Sequence, residues 1–393
     1  MLKPFALVAG AITLLLIALA DPFGEDGTPG TPWAAAERFH TAPAFASPAS
    51  QTPRPTATPA PPDAAWPMPV RLAIGQRIVS GYRGPRPPAS VLQAVRAGRI
   101  GGVILFAENV PTPSAARRAV RSLQAAARSG GRPPLLIMID QEGGKVRRLM
   151  SLPPHMSPAQ MGTTPGPAAT AESQGRRTGA ALRRLGINVN LAPVADVPEQ
   201  STSFLGERAF SRSRDVVARA ACGFATGLSA TGVAPTLKHF PGLGRADGNT
   251  DLQAVEVTAR RGTLLADLGA YERCAETVPL VMLSSASYPA LGIRGPAVLD
   301  RRAYRLLKTT GFKGLTITDA FDTSAIAAHA RPARRALAAG VDLLLYGRNE
   351  AGARLAYARL VADARAGHLS VRALRAEAER VIAFKQSLAD AGR

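Results

Sequence analysis

The chain has 393 residues, of which 46% are hydrophobic, so a packed globular core is within reach and disorder along the whole chain is excluded. Two cysteines are too few for a disulfide-rich scaffold or a cysteine-based zinc cluster. The 48 Lys and Arg against 28 Asp and Glu give a net charge of +20, without a basic block interleaved with aromatics. This argues against nucleic acid as a partner and leaves a peripheral attraction to anionic envelope polymers or membrane surfaces open.

Residues 1–20 predict a secretory signal peptide. Lys3 precedes an apolar run that begins at Phe5, and the small-x-small sequence Ala18-Leu19-Ala20 favours cleavage after Ala20. The run is short for a membrane span of about 20 residues, and an uncleaved N-terminal anchor is the alternative. We therefore expect a secreted or extracytoplasmic protein, either free or anchored through this segment.

Residues 21–69 form a segment rich in Pro, Ala, Thr and Gly, as in the stretch Thr52–Pro59. No apolar periodicity runs through it, so it offers no face to a core. It is typical of a flexible, extended and disordered linker. The folded domain is expected to span residues 70–390.

Short apolar runs alternate with helical patterns over that span. Eight strands are predicted: Leu72–Ser80, Gly102–Phe106, Leu135–Asp140, Asn188–Pro193, Val233–His239, Leu280–Ser284, Leu315–Asp319 and Val341–Tyr346. The helical segments include Ser114–Ser129, Ala171–Leu185, Asp215–Ser229, Gly262–Thr277, Arg301–Thr309 and Ala351–Ala366. Strict alternation predicts parallel strands, and eight units predict an α/β fold of the (β/α)8 TIM barrel type. The alternative is a doubly wound open sheet, but no G-x-G-x-x-G turn follows the first strand.

Polar residues accumulate directly after the predicted strands. Asp140, the pair Lys238 and His239, and Asp319 each stand at such a strand end. In a barrel these ends meet at one mouth, where barrel enzymes place their catalytic groups. Lys238 and His239 offer donors to hydroxyl groups and Asp140 offers acceptors, which suits sugar recognition. Each residue taken alone would equally be explained as a helix cap.

Five ordered motifs resemble glycoside hydrolase family 3, and the resemblance spans about residues 72–388. They are Ile139-Asp140-Gln141-Glu142-Gly143-Gly144-Lys145-Val146, Asn190-Leu191-Ala192-Pro193-Val194-Ala195-Asp196-Val197, Arg208-Ala209-Phe210, Lys238-His239-Phe240-Pro241-Gly242 and Thr318-Asp319-Ala320-Phe321. Because no α/β sandwich domain is expected after the barrel, the chain is most similar to the bacterial β-N-acetylhexosaminidase branch of that family.

The resemblance implies roles for these positions. Asp319 takes the place of the nucleophile, and the sugar-binding positions are taken by Asp140, Arg148, Arg208, Lys238 and His239. A retaining mechanism needs a nucleophilic carboxylate on one side of the sugar and a protonated partner about 5 Å away on the other side. Asp319, at a rigid strand end, suits the first task.

The partner acid is where the chain departs from the branch it resembles. The related loop carries an Asp-Ser-His triplet whose His is general acid and base, oriented by the Asp. At equal spacing this chain has Asn249, Thr250 and Asp251, so Asp251 replaces the His. In place of a His that relatives often carry after the sixth strand it has Ser285. Together these changes suggest a distinct subgroup.

Three interpretations of the loop stay open. Asp251 is itself the acid and base, with a pKa raised by loop closure and by the nearby Asp319 charge. Alternatively the acid is Asp247 or another group. In the third interpretation the acid is lost, and the domain binds glycans or hydrolyses only substrates with good leaving groups.

The remaining candidates for metal or redox chemistry are weak. His155, His329 and His368 have no carboxylate or thiolate at ligand spacing, so we expect neither a metal nor a cofactor. Cys222 and Cys274 fall on predicted helices after neighbouring strands, where they form one bridge after export or remain two buried thiols.

The sequence as a whole predicts a retaining glycoside hydrolase that releases terminal β-linked sugars, above all N-acetylhexosamine from cell-wall glycans. A catalytically weak or silent glycan-binding barrel and a β-glucosidase of the same family are the alternatives. The expected partner is therefore a carbohydrate, and the sequence indicates no oligomeric state.

Overall fold

The computed structural model of the protein describes residues 68–200 and 203–391. The predicted signal peptide, residues 1–20, lies outside the described residues, as does all of the predicted linker except its last two residues. Among the described residues, no helix combines the length and the apolar character that crossing a membrane requires.

Eight parallel strands form the central sheet, which confirms the predicted (β/α)8 barrel. They are β1 (Ile78–Ser80), β2 (Gly102–Leu105), β3 (Leu136–Ile139), β6 (Val189–Asn190), β7 (Ala234–Phe240), β8 (Leu280–Leu283), β9 (Leu315–Thr318) and β10 (Leu344–Tyr346). Their order is β10-β1-β2-β3-β6-β7-β8-β9. A parallel bridge from Ile317 to Leu343 connects the two ends of this order. A small antiparallel hairpin, β4 (Gln141–Gly143) and β5 (Val146–Arg147), follows β3.

The first predicted strand, Leu72–Ser80, is wrong over most of its length. Val70–Gln76 forms a helix, α1, and only Ile78–Ser80 is a strand. In α1 the side chains of Val70, Ala73 and Ile74 are buried while Arg71 is exposed, which is helical spacing. The periodicity of a short apolar run cannot separate a strand from a buried helix, and in this protein tertiary packing favours the helix.

The helices pack around the outside of the strands. α1 has seven residues. The helices of eight or more residues are α2 (Ala89–Arg96), α3 (Pro113–Ser129), α5 (Pro167–Arg184), α6 (Arg214–Ser229), α9 (Arg301–Thr309), α11 (Pro332–Ala339), α12 (Glu350–Arg365) and α13 (Val371–Asp390). The shorter ones are α4 (Pro158–Gly162), α7 (Arg261–Ala266), α8 (Gly269–Arg273) and α10 (Ser324–Ala327).

The single helix predicted over Gly262–Thr277 is also wrong, because α7 and α8 replace it. The break falls at Asp267 and Leu268. The Asp267 carboxylate accepts hydrogen bonds from Arg214 and Arg245, so this position serves an ion-pair cluster rather than a continuous helix.

Two layers of apolar side chains build the core. The inner layer fills the barrel with residues such as Ile104, Met138 and Ile317, and α13 adds Val381 and Leu388 to it, so this helix closes one end of the barrel. The outer layer lies between the strands and the helices. This packed barrel gives a rigid frame whose strand ends position the polar groups of the opposite mouth.

A disulfide joins Cys222 of α6 to Cys274, the residue after α8. Of the two alternatives that the sequence left open for the cysteines, the structure therefore has the bridge. The bond closes a loop of 52 residues that contains β7 and the segment after it. It ties together the two helical elements that flank β7.

Candidate active site

One cavity opens at the carboxyl ends of the strands, where the sequence places the candidate residues. Asp140 follows β3, Lys238 and His239 lie on β7, and Asp319 follows β9. All seven predicted site residues line this cavity: Asp140, Arg148, Arg208, Lys238, His239, Asp251 and Asp319. The apolar part of the wall includes Phe106, Leu191, Phe204, Met282 and Leu345. The fold thus brings together residues that are up to 179 positions apart, as between Asp140 and Asp319.

A buried ammonium group lies at the centre of the polar wall. The Lys238 Nζ donates to Asp140 Oδ1 at 2.8 Å and lies 2.7 Å from Glu142 Oε1. Lys238 and Glu142 are each 2% exposed, so this pair is screened from solvent. Burial alone would lower the pKa of Lys238, but the two carboxylates outweigh it and raise the pKa above its ordinary value. Lys238 is therefore a permanent cation in the cavity wall.

The two carboxylates stay ionised for the reciprocal reason. Burial opposes the ionisation of Glu142, but Lys238 and Arg208 outweigh it and lower the pKa to about 2. Burial likewise opposes the ionisation of Asp140, and Lys238 and Arg148 hold its pKa well below the ordinary value. Both side chains are thus acceptors only at any physiological pH.

Two arginines extend this network. Arg208 holds Glu142 through both ends of its fork, with Nε to Oε2 at 2.8 Å and NH2 to Oε1 at 3.0 Å. Arg148 donates to Asp140 Oδ2 at 3.2 Å. The Nε of Arg148 is buried and has no hydrogen-bond partner among the described residues. A buried donor without a partner is costly, so this group suits a hydroxyl or carbonyl oxygen of a bound molecule.

His239 is oriented by a carboxylate behind it. Asp196, which is fully buried, accepts hydrogen bonds from the backbone N–H groups of His239 and Leu243, and its Oδ2 lies 2.7 Å from His239 Nδ1. Because Asp196 acts as the acceptor of this set, Nδ1 is the donor. The peptide bond between Lys238 and His239 is cis, and both side chains line the cavity.

Asp319 is fixed directly after β9. Its backbone N–H donates to Leu283 O at 3.0 Å, and its Oδ1 accepts from the Ala320 N–H at 2.8 Å. Burial raises the pKa of the Asp319 carboxyl above its ordinary value. The like charge of Asp251 adds to that rise, while the His239 imidazole and Lys238 oppose it. The two candidate catalytic carboxylates therefore lie close enough to influence one another.

Asp251 lies on the segment after β7, at the exposed edge of the cavity. Its backbone N–H donates to Asn249 Oδ1 at 2.9 Å, while the Thr250 side chain between them is buried. Earlier in this segment, Arg245 binds Asp267 Oδ2 at 2.6 Å, and Arg214 of α6 binds Oδ1 of the same carboxylate. The segment is anchored at its start and reaches solvent at Asp251.

Sequence reasoning did not assign Glu142 and Asp196 to the site, although both stand inside the motifs it used. Glu142 comes two positions after Asp140, which places both side chains toward the same side of an extended chain. That spacing could have identified it. The pairing of Asp196 with His239 depends on the close approach of two segments 43 positions apart, which no local pattern indicates.

Within the described ranges, no cluster of three or more His, Cys, Asp or Glu side chains is arranged to hold a metal ion. His155 and His329 lie instead beside Arg147 and Arg335 at the protein surface.

Comparison with known proteins assigns the barrel to a family. The glycosyl hydrolase family 3 N-terminal domain matches residues 71–384. The chain belongs to glycoside hydrolase family 3. The chain is 34% identical to an uncharacterized secreted glycosyl hydrolase of Arthroderma benhamiae over 334 residues, which cover 81% of the chain and 94% of that relative. It is 32% identical to a beta-hexosaminidase of Pseudomonas aeruginosa over 285 residues, which cover 68% of the chain and 81% of the relative.

A solved structure agrees with this assignment. The β-N-acetylhexosaminidase of Beutenbergia cavernae superposes on the glycoside hydrolase with a TM-score of 0.74 at 29% identity. The superposition covers 81% of this chain and 99% of that protein. The resemblance recognised in the sequence motifs is therefore confirmed.

Proposed function

We propose that this glycoside hydrolase releases terminal β-linked N-acetylhexosamine from cell-wall glycans by a retaining mechanism, outside the cytoplasm. The relatives named beta-hexosaminidase and β-N-acetylhexosaminidase support the sugar, and a relative described as secreted supports the location. The predicted N-terminal signal supports the location as well.

The observation that carries the proposal is the position of Asp319 beside a preformed polar wall. Asp319 shares one cavity with Asp140, Lys238 and His239, whose charges and donors are fixed by buried partners. Such a wall offers both acceptors and donors to the hydroxyls of one sugar ring. A sugar held there would present its anomeric carbon to the carboxylate at the strand end.

In the first step an Asp319 oxygen forms a bond to the anomeric carbon while the bond to the leaving oxygen breaks and that oxygen takes a proton from the acid. In the second step water attacks the anomeric carbon, the same acid, now a base, takes the proton of the water, and the Asp319 carboxylate leaves. The partly buried site raises the pKa of Asp319, so ionisation of the nucleophile limits the rate on the acidic side.

Asp251 is the acid and base in this proposal. Asp251 lines the same cavity as Asp319, and an ionised Asp251 raises the pKa of Asp319. The Asn249 amide oxygen holds the backbone of Asp251 without adding another negative charge. The exposure of Asp251 favours a second candidate function, a glycan-binding barrel with little or no hydrolysis, because a side chain open to solvent is not held in one position against a glycosidic oxygen.

A panel of 4-nitrophenyl β-glycosides tests the proposal. Turnover of the N-acetyl-β-D-glucosaminide with the highest kcat/KM of the panel is expected. A higher kcat/KM for the β-glucoside than for the N-acetyl-β-D-glucosaminide would show that the preferred sugar is glucose. No turnover above blank, together with binding of N-acetylglucosamine in calorimetry, would establish the binding domain instead.

A further inference from the structure

A second concave surface runs along the outer wall of the barrel, between α2 and α12. Its floor is apolar and contains Val91, Ala94, Ile100, Ala353 and Val361. No described residue lines both this surface and the catalytic cavity. The surface is therefore a separate feature of the glycoside hydrolase, and binding there does not depend on the proposed reaction.

Arginines surround this surface. Arg71, Arg99, Arg354 and Arg365 line it together with Tyr357, and the charge of Arg132 also acts on the Tyr357 hydroxyl. We call these five residues and Tyr357 the arginine groove. The only carboxylate among its lining residues is Glu350, at the start of α12. The groove thus carries a surplus of positive charge.

The arginines of the groove are not neutralised by the protein. None of the five forms an ion pair with a carboxylate in the described part of the chain. Other exposed arginines, such as Arg177 and Arg184 of α5, also have no carboxylate partner among the described residues, but they do not line this concave surface. Like charges brought together without counterions repel one another, which is a cost that a bound anion would remove.

The charges of four of these arginines act on the hydroxyl of Tyr357. Burial raises the pKa of its half-buried hydroxyl, and the charges that oppose the rise come from Arg99, Arg71, Arg132 and Arg365. Four guanidinium groups from separate elements therefore act on one hydroxyl. α1, the segments after α2 and α3, and the end of α12 supply them.

We propose that the arginine groove binds a linear polyanion, namely a chain of polyol units joined by phosphodiesters. Each guanidinium offers a planar fork of donors that matches two oxygens of one phosphate. The groove is concave, which fits a chain lying along it better than a flat bilayer. Tyr357 is the single aromatic side chain among its lining residues, so it offers no series of stacking platforms for the bases of a nucleic acid.

The groove would hold the hydrolase on an anionic polymer while its catalytic cavity stays open to a neutral glycan. The net charge of +20 adds long-range attraction, but a diffuse charge does not select one face of the molecule. The arginine groove determines which face of the protein binds the polymer, whereas the net charge alone would favour no face.

The test compares two variants of equal charge in the full-length protein. The groove variant carries Arg71→Gln, Arg99→Gln and Arg365→Gln. The matched control carries Arg177→Gln, Arg184→Gln and Arg273→Gln, three exposed arginines of α5 and α8. Affinity for poly(glycerol phosphate) is measured by calorimetry at about 50 mM and 200 mM salt, because phosphate contacts weaken with salt. Circular dichroism and turnover of an aryl glycoside check that both variants keep the fold.

We expect the groove variant to bind poly(glycerol phosphate) at least about tenfold more weakly than wild type, and the control within about twofold of wild type. Equal losses in both variants would reduce the effect to net charge and overturn the proposal. Unchanged affinity in the groove variant, or no binding by wild type, would overturn it too. Tighter wild-type binding to an oligonucleotide or to anionic vesicles of equal charge would assign the groove to another partner.

Discussion

The Lys238 ammonium lies 2.7 Å from a carboxylate oxygen of Glu142, and both side chains are almost fully buried. Glu142 is at the same time held by both ends of the Arg208 fork. One carboxylate therefore positions two cations of the cavity wall. The position of Lys238 against a sugar depends on Glu142 even if Glu142 makes no contact with that sugar.

Glu142→Gln should destabilise the protein by about 3 kcal/mol at neutral pH, because it leaves Lys238 and Arg208 as buried cations with one counterion fewer. Urea unfolding of the two proteins measures the difference. Glu379→Gln, which changes an exposed glutamate of α13, is the control and should stay within about 0.5 kcal/mol of wild type.

The difference between wild type and Glu142→Gln should depend on pH in a definite direction. The Glu142 pKa is about 2 in the folded protein and 4.5 when unperturbed, so its ionised form stabilises the fold fully above pH 4.5. That contribution is lost as the pH falls from 4.5 toward 2. The gap in unfolding free energy should therefore shrink over this interval, and a gap that is constant down to pH 2 would contradict the assigned ion pair.

Asp319→Asn should leave the fold intact and reduce kcat by at least about 10³-fold, because an amide cannot form the glycosyl-enzyme ester. Steady-state kinetics on an aryl glycoside measures the loss, and thermal unfolding checks the fold. Asp215→Asn, at an exposed position of α6, should keep wild-type kcat. A folded Asp319→Asn protein with wild-type kcat would remove Asp319 from the mechanism.

Lys238→Ala and Asp140→Ala should each weaken the binding of a competitive sugar inhibitor by about 2 to 4 kcal/mol, since each leaves charged groups of the wall unpaired. Lys145→Ala changes an exposed lysine of the same sequence motif and should not alter the inhibition constant. Unchanged affinity in both wall variants would place the sugar elsewhere.

The double substitution Cys222→Ser and Cys274→Ser should lower the unfolding free energy by about 3 to 4 kcal/mol, because a bridge over 52 residues restricts the unfolded chain. Urea unfolding with and without a reductant measures this. The reductant should destabilise wild type and leave the double variant unchanged. Equal stability of wild type under both conditions would mean that the bridge contributes nothing.

The barrel was predictable because each strand–helix unit has a recognisable local sequence pattern. Leu136–Ile139 is apolar, Leu315–Thr318 is rich in β-branched residues, each is followed by a carboxylate, and the structure has strands there. The errors arose where burial overrides local pattern. Leu72–Gln76 is part of a short apolar run that suits a strand or a buried helix equally, and it packs as a helix. Asp267 interrupts a helical pattern where its carboxylate accepts hydrogen bonds from Arg214 and Arg245.

The sequence could indicate which residues share the cavity but not how they pair. Four of the seven candidates stand at strand ends that the closed barrel brings together, and the family resemblance supplied Arg148, Arg208 and Asp251. Which cation holds which carboxylate depends on approaches between distant segments, such as Arg208 with Glu142. The loop spacing alone did not decide between Asp247 and Asp251 for the same reason, since the task of each depends on where a bound substrate lies.

Asp251→Ala should slow the hydrolysis of natural glycosides far more than that of substrates with activated phenolate leaving groups, because such leaving groups need little protonation. For activated substrates the loss should fall on deglycosylation. Azide, small enough to enter the space that the carboxylate leaves, should then restore part of the rate and yield a β-glycosyl azide. Asp247→Ala, on the same segment, is the matched control and should behave as wild type without any effect of azide.

The pH dependence of the first step adds an independent measure of the same pair. Burial raises the pKa of Asp319, and the nucleophile must be ionised to attack. The acidic limb of the glycosylation rate should therefore lie above the ordinary aspartate pKa of 3.8 in wild type. If Asp251 is the acid, it is uncharged in this step, so Asp251→Ala should leave the limb where it is, and a limb that moves to lower pH would mean that Asp251 is ionised there and is not the acid. Asp251 is equally not the acid if Asp251→Ala matches wild type on every leaving group and gives no azide product. A loss of hydrolysis in Asp247→Ala but not in Asp251→Ala would assign the role of acid to Asp247. If wild type itself shows no turnover, the protein is the glycan-binding barrel and not a hydrolase.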